Sequence, residues 1–146
     1  MGGKWLEEKG HGMNSIVAAP RMPAQAAPPL AKLKLMSFGF KYGLPTANYY
    51  FDVSFTVNPA RDARWGLHAR PDHEMIEFVL GQPAVAEFIR RVVPLLEHVG
   101  TLDAYQVIAF GCNSGRHRSP VIANEIARRL AGRHQLVVEH RDMPAG

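Results

Sequence analysis

The sequence predicts a small three-layer α/β domain, in which a mostly parallel four-stranded sheet is flanked by helices. Short β-prone apolar runs alternate along the chain with segments of helical periodicity, the order that is typical of parallel sheets. The chain has 146 residues, of which 47% are hydrophobic. That length and composition suit one soluble domain with a core of its own.

Residues 1–32 are predicted to be a flexible Ala/Pro-rich tail, because a segment with this composition cannot bury an apolar face. The folded domain is predicted to span 33–146. Four strands are expected, at 33–40, 49–57, 105–110 and 135–140. Three helices are expected, at 73–80, 84–99 and 119–131. Pro94 should kink the second helix.

Composition excludes several classes of protein. The net charge is +4, a weak signal for nucleic acid because the basic residues form no blocks. No apolar run reaches the roughly 20 residues of a membrane span, and the start lacks the layout of a signal peptide. Cys112 is the only cysteine, so we expect no internal disulfide and a cytoplasmic location. The histidines and the cysteine do not have the spacing of metal ligands. A P-loop needs a lysine after its glycines, and no lysine follows Lys41, so that nucleotide-binding motif is absent. No cofactor is predicted.

The segment 111–119 is the main candidate site. It reads Gly-Cys-Asn-Ser-Gly-Arg-His-Arg-Ser and joins a predicted strand to a predicted helix, a layout whose backbone N–H groups and helix N-terminus favour an anion. Glycine lets the backbone approach a phosphate, Arg and His neutralise it, and Ser119 could cap the helix or donate its hydroxyl. An ordinary turn with its charges in water is the alternative. The candidate ligand-binding residues are Gly111, Cys112, Asn113, Ser114, Gly115, His117, Arg118 and Ser119.

Three further groups of residues have two interpretations each. Asp52, at the carboxyl end of the second predicted strand, could receive a ligand hydroxyl or ammonium, or could close a turn. The segment 140–142, His-Arg-Asp, is interpreted as a solvated chain end rather than as part of a site. Four aromatic residues are expected in the core rather than as stacking platforms for bases: Phe38, Phe40, Tyr42 and Phe51.

Five motifs occur in the same order as in the C-terminal domain of the RapZ family of bacterial RNase adapter proteins, which residues 34–142 resemble. They are 37–43 (Ser-Phe-Gly-Phe-Lys-Tyr-Gly), 51–53 (Phe-Asp-Val), 58–59 (Asn-Pro), the 111–119 segment and 140–142. The resemblance implies a regulatory or adapter module that binds an amino-sugar phosphate, glucosamine-6-phosphate. In some members it also implies binding of a small RNA, delivery of that RNA to an RNase, and oligomerisation. Asn113 and Ser114 stand where the family usually has Thr and Gly, and Ser54 where it often has Arg.

For RNA, the candidate residues are three arginines near the end of the last predicted helix, Arg128, Arg129 and Arg133, to which Arg61, Arg64 and Arg70 could add. They are few, and the basic C-terminal tail that serves RNA binding in the family is absent from this sequence. We therefore expect weak RNA binding.

The same loop also resembles the Cys-x-x-Gly-x-x-Arg-Ser signature of cysteine-dependent phosphatases. A helix N-terminus and Arg118 would lower the pKa of the Cys112 thiol and let the thiolate attack phosphorus. Glycine precedes Cys112 where those enzymes usually have histidine, and only Asp62 or Asp72 could act as the general acid. A phosphatase is therefore the alternative to a non-enzymatic binding module.

Overall fold

The computed structural model describes residues 32–66 and 69–144. It contains one sheet of four parallel strands in the order β2-β3-β1-β4. The strands are β1 (Lys32–Gly39), β2 (Tyr49–Asp52), β3 (Tyr105–Cys112) and β4 (Gln135–His140). The predicted α/β class with four strands is confirmed. The predicted N-terminal tail lies outside the described residues except for Lys32, which begins β1.

Three α-helices connect the strands: α1 (His73–Leu80), α2 (Pro83–Val99) and α3 (Arg118–Leu130). Asp72 caps α1, because its Oδ1 accepts the backbone N–H of Met75 at 2.8 Å. Pro94 lies inside α2 without ending it. Two single-turn 3-10 helices, Phe40–Tyr42 and Pro59–Arg61, lie in the connections around β2.

The helices lie on one face of the sheet. The buried cluster joins residues of that face, such as Leu35 and its register partner Ile108, to helical residues such as Leu96 and Ile126. Both helical connections, β2 to β3 and β3 to β4, cross the sheet in the same direction, so right-handed crossovers place their helices on the same side. The described connection from β1 to β2 runs in the opposite direction and contains one 3-10 turn and no α-helix.

The second predicted strand is shorter than expected. It ends at Asp52, because the Oδ1 of Asp52 accepts the N–H of Ser54 at 2.8 Å and bends the chain. Two of the four aromatic residues expected in the core are also on the surface: Phe40 is 36% exposed and Tyr42 49% exposed. Phe40 packs edge-on against the buried Phe38, and the ring of Tyr42 lies under Nζ of Lys41 at 5.2 Å. Phe51 is partly buried against the core.

In the described part of the chain, no helix is long and apolar enough to cross a membrane.

Candidate functional site

The site lies where β2 and β3 end side by side. Asp52 pairs with Gly111, and the next residue, Val53, donates its N–H to the carbonyl of Gly111 at 2.8 Å. Because both strands run in the same direction, the segments that follow them leave the same edge of the sheet. The 53–61 segment and the 113–118 loop therefore face each other.

Between these two segments is a cavity of about 440 Å³, here called the Arg118 cavity. The 53–61 segment contributes most of its wall, and the loop and the start of α3 contribute the rest. Most of the lining residues carry polar groups that can donate hydrogen bonds. The lining residues are Ser54, Thr56, Val57, Asn58, Arg61, Asn113 and Arg118.

Arg118 is the central charge of this cavity. It is 7% exposed, and its Nη1 donates to the carbonyls of Ser54 at 3.1 Å and Thr56 at 3.2 Å. These bonds fix the guanidinium and leave the N–H groups of Nε and Nη2 without a protein partner among the described residues. A largely buried charge needs a partner of opposite sign to offset its lost hydration. No Asp or Glu from the described residues lines the cavity, and Arg61 adds a second positive charge.

The loop is held close to the end of β1. Gly115 has a φ of 73°, a left-handed conformation that favours glycine. A Cβ atom on Gly39 would overlap the backbone carbonyl group of Ser114, so glycine is required there by close approach. Lys41 donates its backbone N–H to the carbonyl of Asn113 at 3.2 Å. The loop conformation is therefore set by β1 and the residues after it.

The interpretation of 140–142 as a solvated chain end was wrong. The Oδ2 of Asp142 accepts the N–H of Gly39 at 2.7 Å, and Nη2 of Arg141 donates to the carbonyl of Gly43 at 2.7 Å. The Oγ of Ser37 lies 2.7 Å from Nδ1 of His140. These contacts fix the end of β1 against which the loop packs, so the motif supports the site without lining it.

Cys112 lies outside the cavity lining and is 2% exposed. Its Sγ lies 3.2 Å from Oγ of Ser119, whose hydroxyl donates to the carbonyl of Phe38 at 3.3 Å. Either atom of the Cys112–Ser119 contact can be the donor. Cys112 and Ser119 are therefore part of a buried hydrogen-bonded chain that lies outside the cavity. Ser119 is thus a buried residue in the first turn of α3. Of its two predicted roles, capping was wrong, since His117 holds the N-cap position, and its hydroxyl donates to the carbonyl of Phe38 outside the cavity lining.

His117 and Asp52 also form hydrogen bonds that stabilise the local backbone, and neither residue lines the cavity. The Nε2 of His117 donates to the carbonyl of Ala69 at 2.6 Å, and burial lowers the pKa of this imidazole below its ordinary value of 6.5. Asp52 takes the turn role described above. Gly111 is next to the rings of Phe38 and Phe40, which a Cβ atom would overlap. Of the candidate residues, only Asn113 and Arg118 line the Arg118 cavity.

Both aspartates considered as a general acid are engaged elsewhere. Asp62 forms an ion pair with Arg64 at 2.9 Å, which lowers the pKa of its carboxyl. Asp72 caps α1 and accepts the indole N–H of Trp65 at 3.2 Å. A carboxylate occupied in this way is poorly placed to protonate a leaving group.

The three arginines considered for RNA each have an acidic partner. Arg128 and Arg129 both contact Glu125, at 2.6 and 2.9 Å. Arg133 contacts Glu97 at 2.6 Å. Pairing reduces the positive field that attracts a phosphate backbone. The described residues contain no group of three or more His, Cys, Asp or Glu side chains that could hold a metal ion.

Sequence reasoning missed one wall of the cavity as part of this site. Ser54, Thr56, Asn58 and Arg61 follow β2, and Ser54 is 64 residues from Arg118 along the chain. The signal that could have found them is topological, because polar residues after the carboxyl ends of adjacent parallel strands converge.

Comparison with known proteins places the chain in a family. A family model described as the RapZ C-terminal domain matches residues 31–144. A protein from Paenarthrobacter aurescens (strain TC1), named nucleotide-binding protein, is 36% identical over 143 residues, which is 91% of this chain and 45% of that protein. A protein of the same name from Shewanella baltica (strain OS155) is 39% identical over 118 residues, covering 73% of this chain and 40% of the relative. The chain thus spans less than half the length of these relatives. It belongs to the RapZ C-terminal domain family.

Proposed function

We propose that this chain is a ligand-binding regulatory or adapter module that holds a phosphorylated small molecule in the Arg118 cavity. The observation that carries the proposal is the guanidinium of Arg118, which is largely buried, fixed by two carbonyls and without an acidic partner among the described residues. A phosphate group can accept two parallel hydrogen bonds from such a guanidinium. Arg61 and the amide of Asn113 line the same space.

The ligand class is narrowed by family membership. The family resemblance suggests an amino-sugar phosphate, and glucosamine-6-phosphate is the specific candidate. The hydroxyls of Ser54 and Thr56 and the amide of Asn58 line the cavity beside the two arginines. Side chains of these types can bond the hydroxyl groups of a sugar. A small RNA, an RNase and further copies of this chain are proposed partners on the same basis, and the cytoplasm is the proposed location.

Isothermal titration calorimetry tests the proposal with three ligands: inorganic phosphate, glucosamine-6-phosphate and glucosamine. We expect the two phosphate-bearing ligands to bind and glucosamine to bind at least about tenfold more weakly, because it lacks the charged acceptor. Arg61→Ala should weaken the binding of both phosphate-bearing ligands. Arg64→Ala is the matched control and should leave their binding unchanged, since Arg64 pairs with Asp62 outside the cavity. Equal binding of glucosamine and its phosphate would contradict the proposal.

A cysteine-dependent phosphatase is the weaker candidate on this geometry. Attack by sulfur needs an accessible thiolate, whereas the Sγ of Cys112 is buried and lies 3.2 Å from the Oγ of Ser119, outside the cavity. The binding function needs neither a nucleophile nor a general acid.

A further inference from the structure

A second cavity lies on the other side of α3. It has a volume of about 350 Å³ and is enclosed by α1, α3, the 70–71 segment and Met143, and is here called the α1–α3 cavity. It shares no lining residue with the Arg118 cavity. Its volume is in the range of cavities that hold small organic ligands.

The α1–α3 cavity has an apolar body. Ile76 and Leu80 of α1 face Val121 of α3, and Met143 lies beside them. Ile76 is 38% exposed, so part of this apolar surface is in contact with water in the described structure. Covering it with an apolar ligand would be favourable by about 25 cal/mol per Å² removed from water.

The polar groups at this cavity favour an anion. Glu125 accepts from both Arg128 and Arg129, so this cluster keeps one positive charge in excess. Arg70 has no hydrogen-bond or ion-pair partner among the described residues, although it lines the cavity. The Oδ1 of Asn124 bonds with Nε2 of His140 at 3.0 Å, which leaves the amide N–H₂ as a donor.

We propose that the α1–α3 cavity is a second ligand site, which binds a small apolar carboxylic acid with its carboxylate on Arg70 and its apolar part between α1 and α3. The guanidinium of Arg70, which has no partner among the described residues, matches one carboxylate, and the apolar walls match an aromatic or aliphatic body. This site does not depend on phosphate binding in the Arg118 cavity.

Benzoate is the probe, and benzyl alcohol is the matched neutral compound of similar size. Titration of ¹⁵N-labelled full-length chain, followed by amide chemical shifts, should show saturable changes around Ile76 and Asn124 at millimolar benzoate. We expect benzyl alcohol to bind at least about tenfold more weakly than benzoate. Arg70→Ala should lose this preference, and its melting temperature should be unchanged because Arg70 is exposed and has no described partner.

Arg61→Ala is the control variant, because Arg61 lines the Arg118 cavity and not the α1–α3 cavity, and it should bind benzoate like the wild type. Ile76→Asp should weaken the binding of benzoate, because it places a negative charge in the α1–α3 cavity. The proposal is overturned if benzoate gives no saturable shifts, if Arg70→Ala binds it as tightly as the wild type, or if the shifts centre on Asn113 and depend on Arg61.

Discussion

Replacing Arg118 should separate its role as an anion ligand from its role in the fold. Arg118→Ala removes the guanidinium from the cavity, and a hydrogen bond to a charged group contributes about 1.5–3 kcal/mol. The affinity for glucosamine-6-phosphate should therefore fall by about ten- to a hundredfold. Arg118→Lys keeps the positive charge but lacks the planar pair of N–H donors, so this variant should lose less affinity than Arg118→Ala.

The same variant changes the free protein in two opposing ways. It removes the two bonds from Nη1 to the carbonyls of Ser54 and Thr56, and it also removes a buried charge that lacks an acidic partner among the described residues. We therefore expect a modest change in the free energy of unfolding without ligand. Chemical denaturation of the ligand-free variants measures that change directly.

Ligand-induced stabilisation gives a second readout of affinity. A ligand at 100 times its dissociation constant stabilises the native state by about 2.7 kcal/mol. If Arg118→Ala weakens binding a hundredfold, the same ligand concentration should stabilise that variant by only about 0.4 kcal/mol. An Arg118→Ala variant that folds, yet is stabilised by the ligand as strongly as the wild type, would refute the assignment of Arg118 to the anion.

Four further outcomes are expected. Steady-state hydrolysis of an aryl phosphate should show no turnover that depends on Cys112; activity lost only in Cys112→Ser would promote the phosphatase. Gly39→Ala should lower the free energy of unfolding by about 1–3 kcal/mol, because the added Cβ overlaps the backbone of the loop. Gly66→Ala is the control, since Gly66 has open space around it, and it should change the free energy of unfolding by about 0.5 kcal/mol or less. Equal effects of the two substitutions would contradict the packing of Gly39 against the loop. Because burial lowers the pKa of His117, the folded state binds fewer protons than the unfolded state, so the free energy of unfolding should fall as the pH drops below about 6.5. Urea denaturation of His117→Gln should show a smaller fall. The same dependence on pH in this variant and the wild type would contradict the role given to His117. RNA titrations should show weak binding. The logarithm of the binding constant should fall with the logarithm of the salt concentration, with a slope near −0.7 per phosphate contact on single strands. Tight binding at physiological salt would contradict this expectation.

The helices and strands could be predicted from the sequence because their signals are local. The spacing of Val85, Val92 and Leu96 in α2, and the apolar run in β3, depend only on neighbouring residues. The end of β2 was harder to predict. The apolar residues after Asp52 extend the strand pattern, whereas the bond from Ser54 to the Asp52 carboxylate ends the strand.

The site was predictable in part for the same reason. The order of strand, glycine-containing loop and helix indicated an anion site, and Arg118 was among its candidates. Burial of Cys112 and Ser119 was not visible, because it depends on distant residues: Ser119 bonds to the carbonyl of Phe38, 81 residues away along the chain, and Cys112 packs in the hydrophobic core. The exposure of Phe40 and Tyr42 likewise depends on which distant segments pack against the 40–42 turn.

The sequence by itself determined the α/β class, the order of the elements and the loop on which the candidate site depends, since periodicity and turn residues act over a few positions. Only the tertiary structure decided which segment faces that loop, and so brought Ser54, Thr56 and Arg61 to Arg118. It also decided that 140–142 fixes the end of β1. The physical reason is that strand register and crossover direction place residues far apart in sequence together, and a local pattern contains neither.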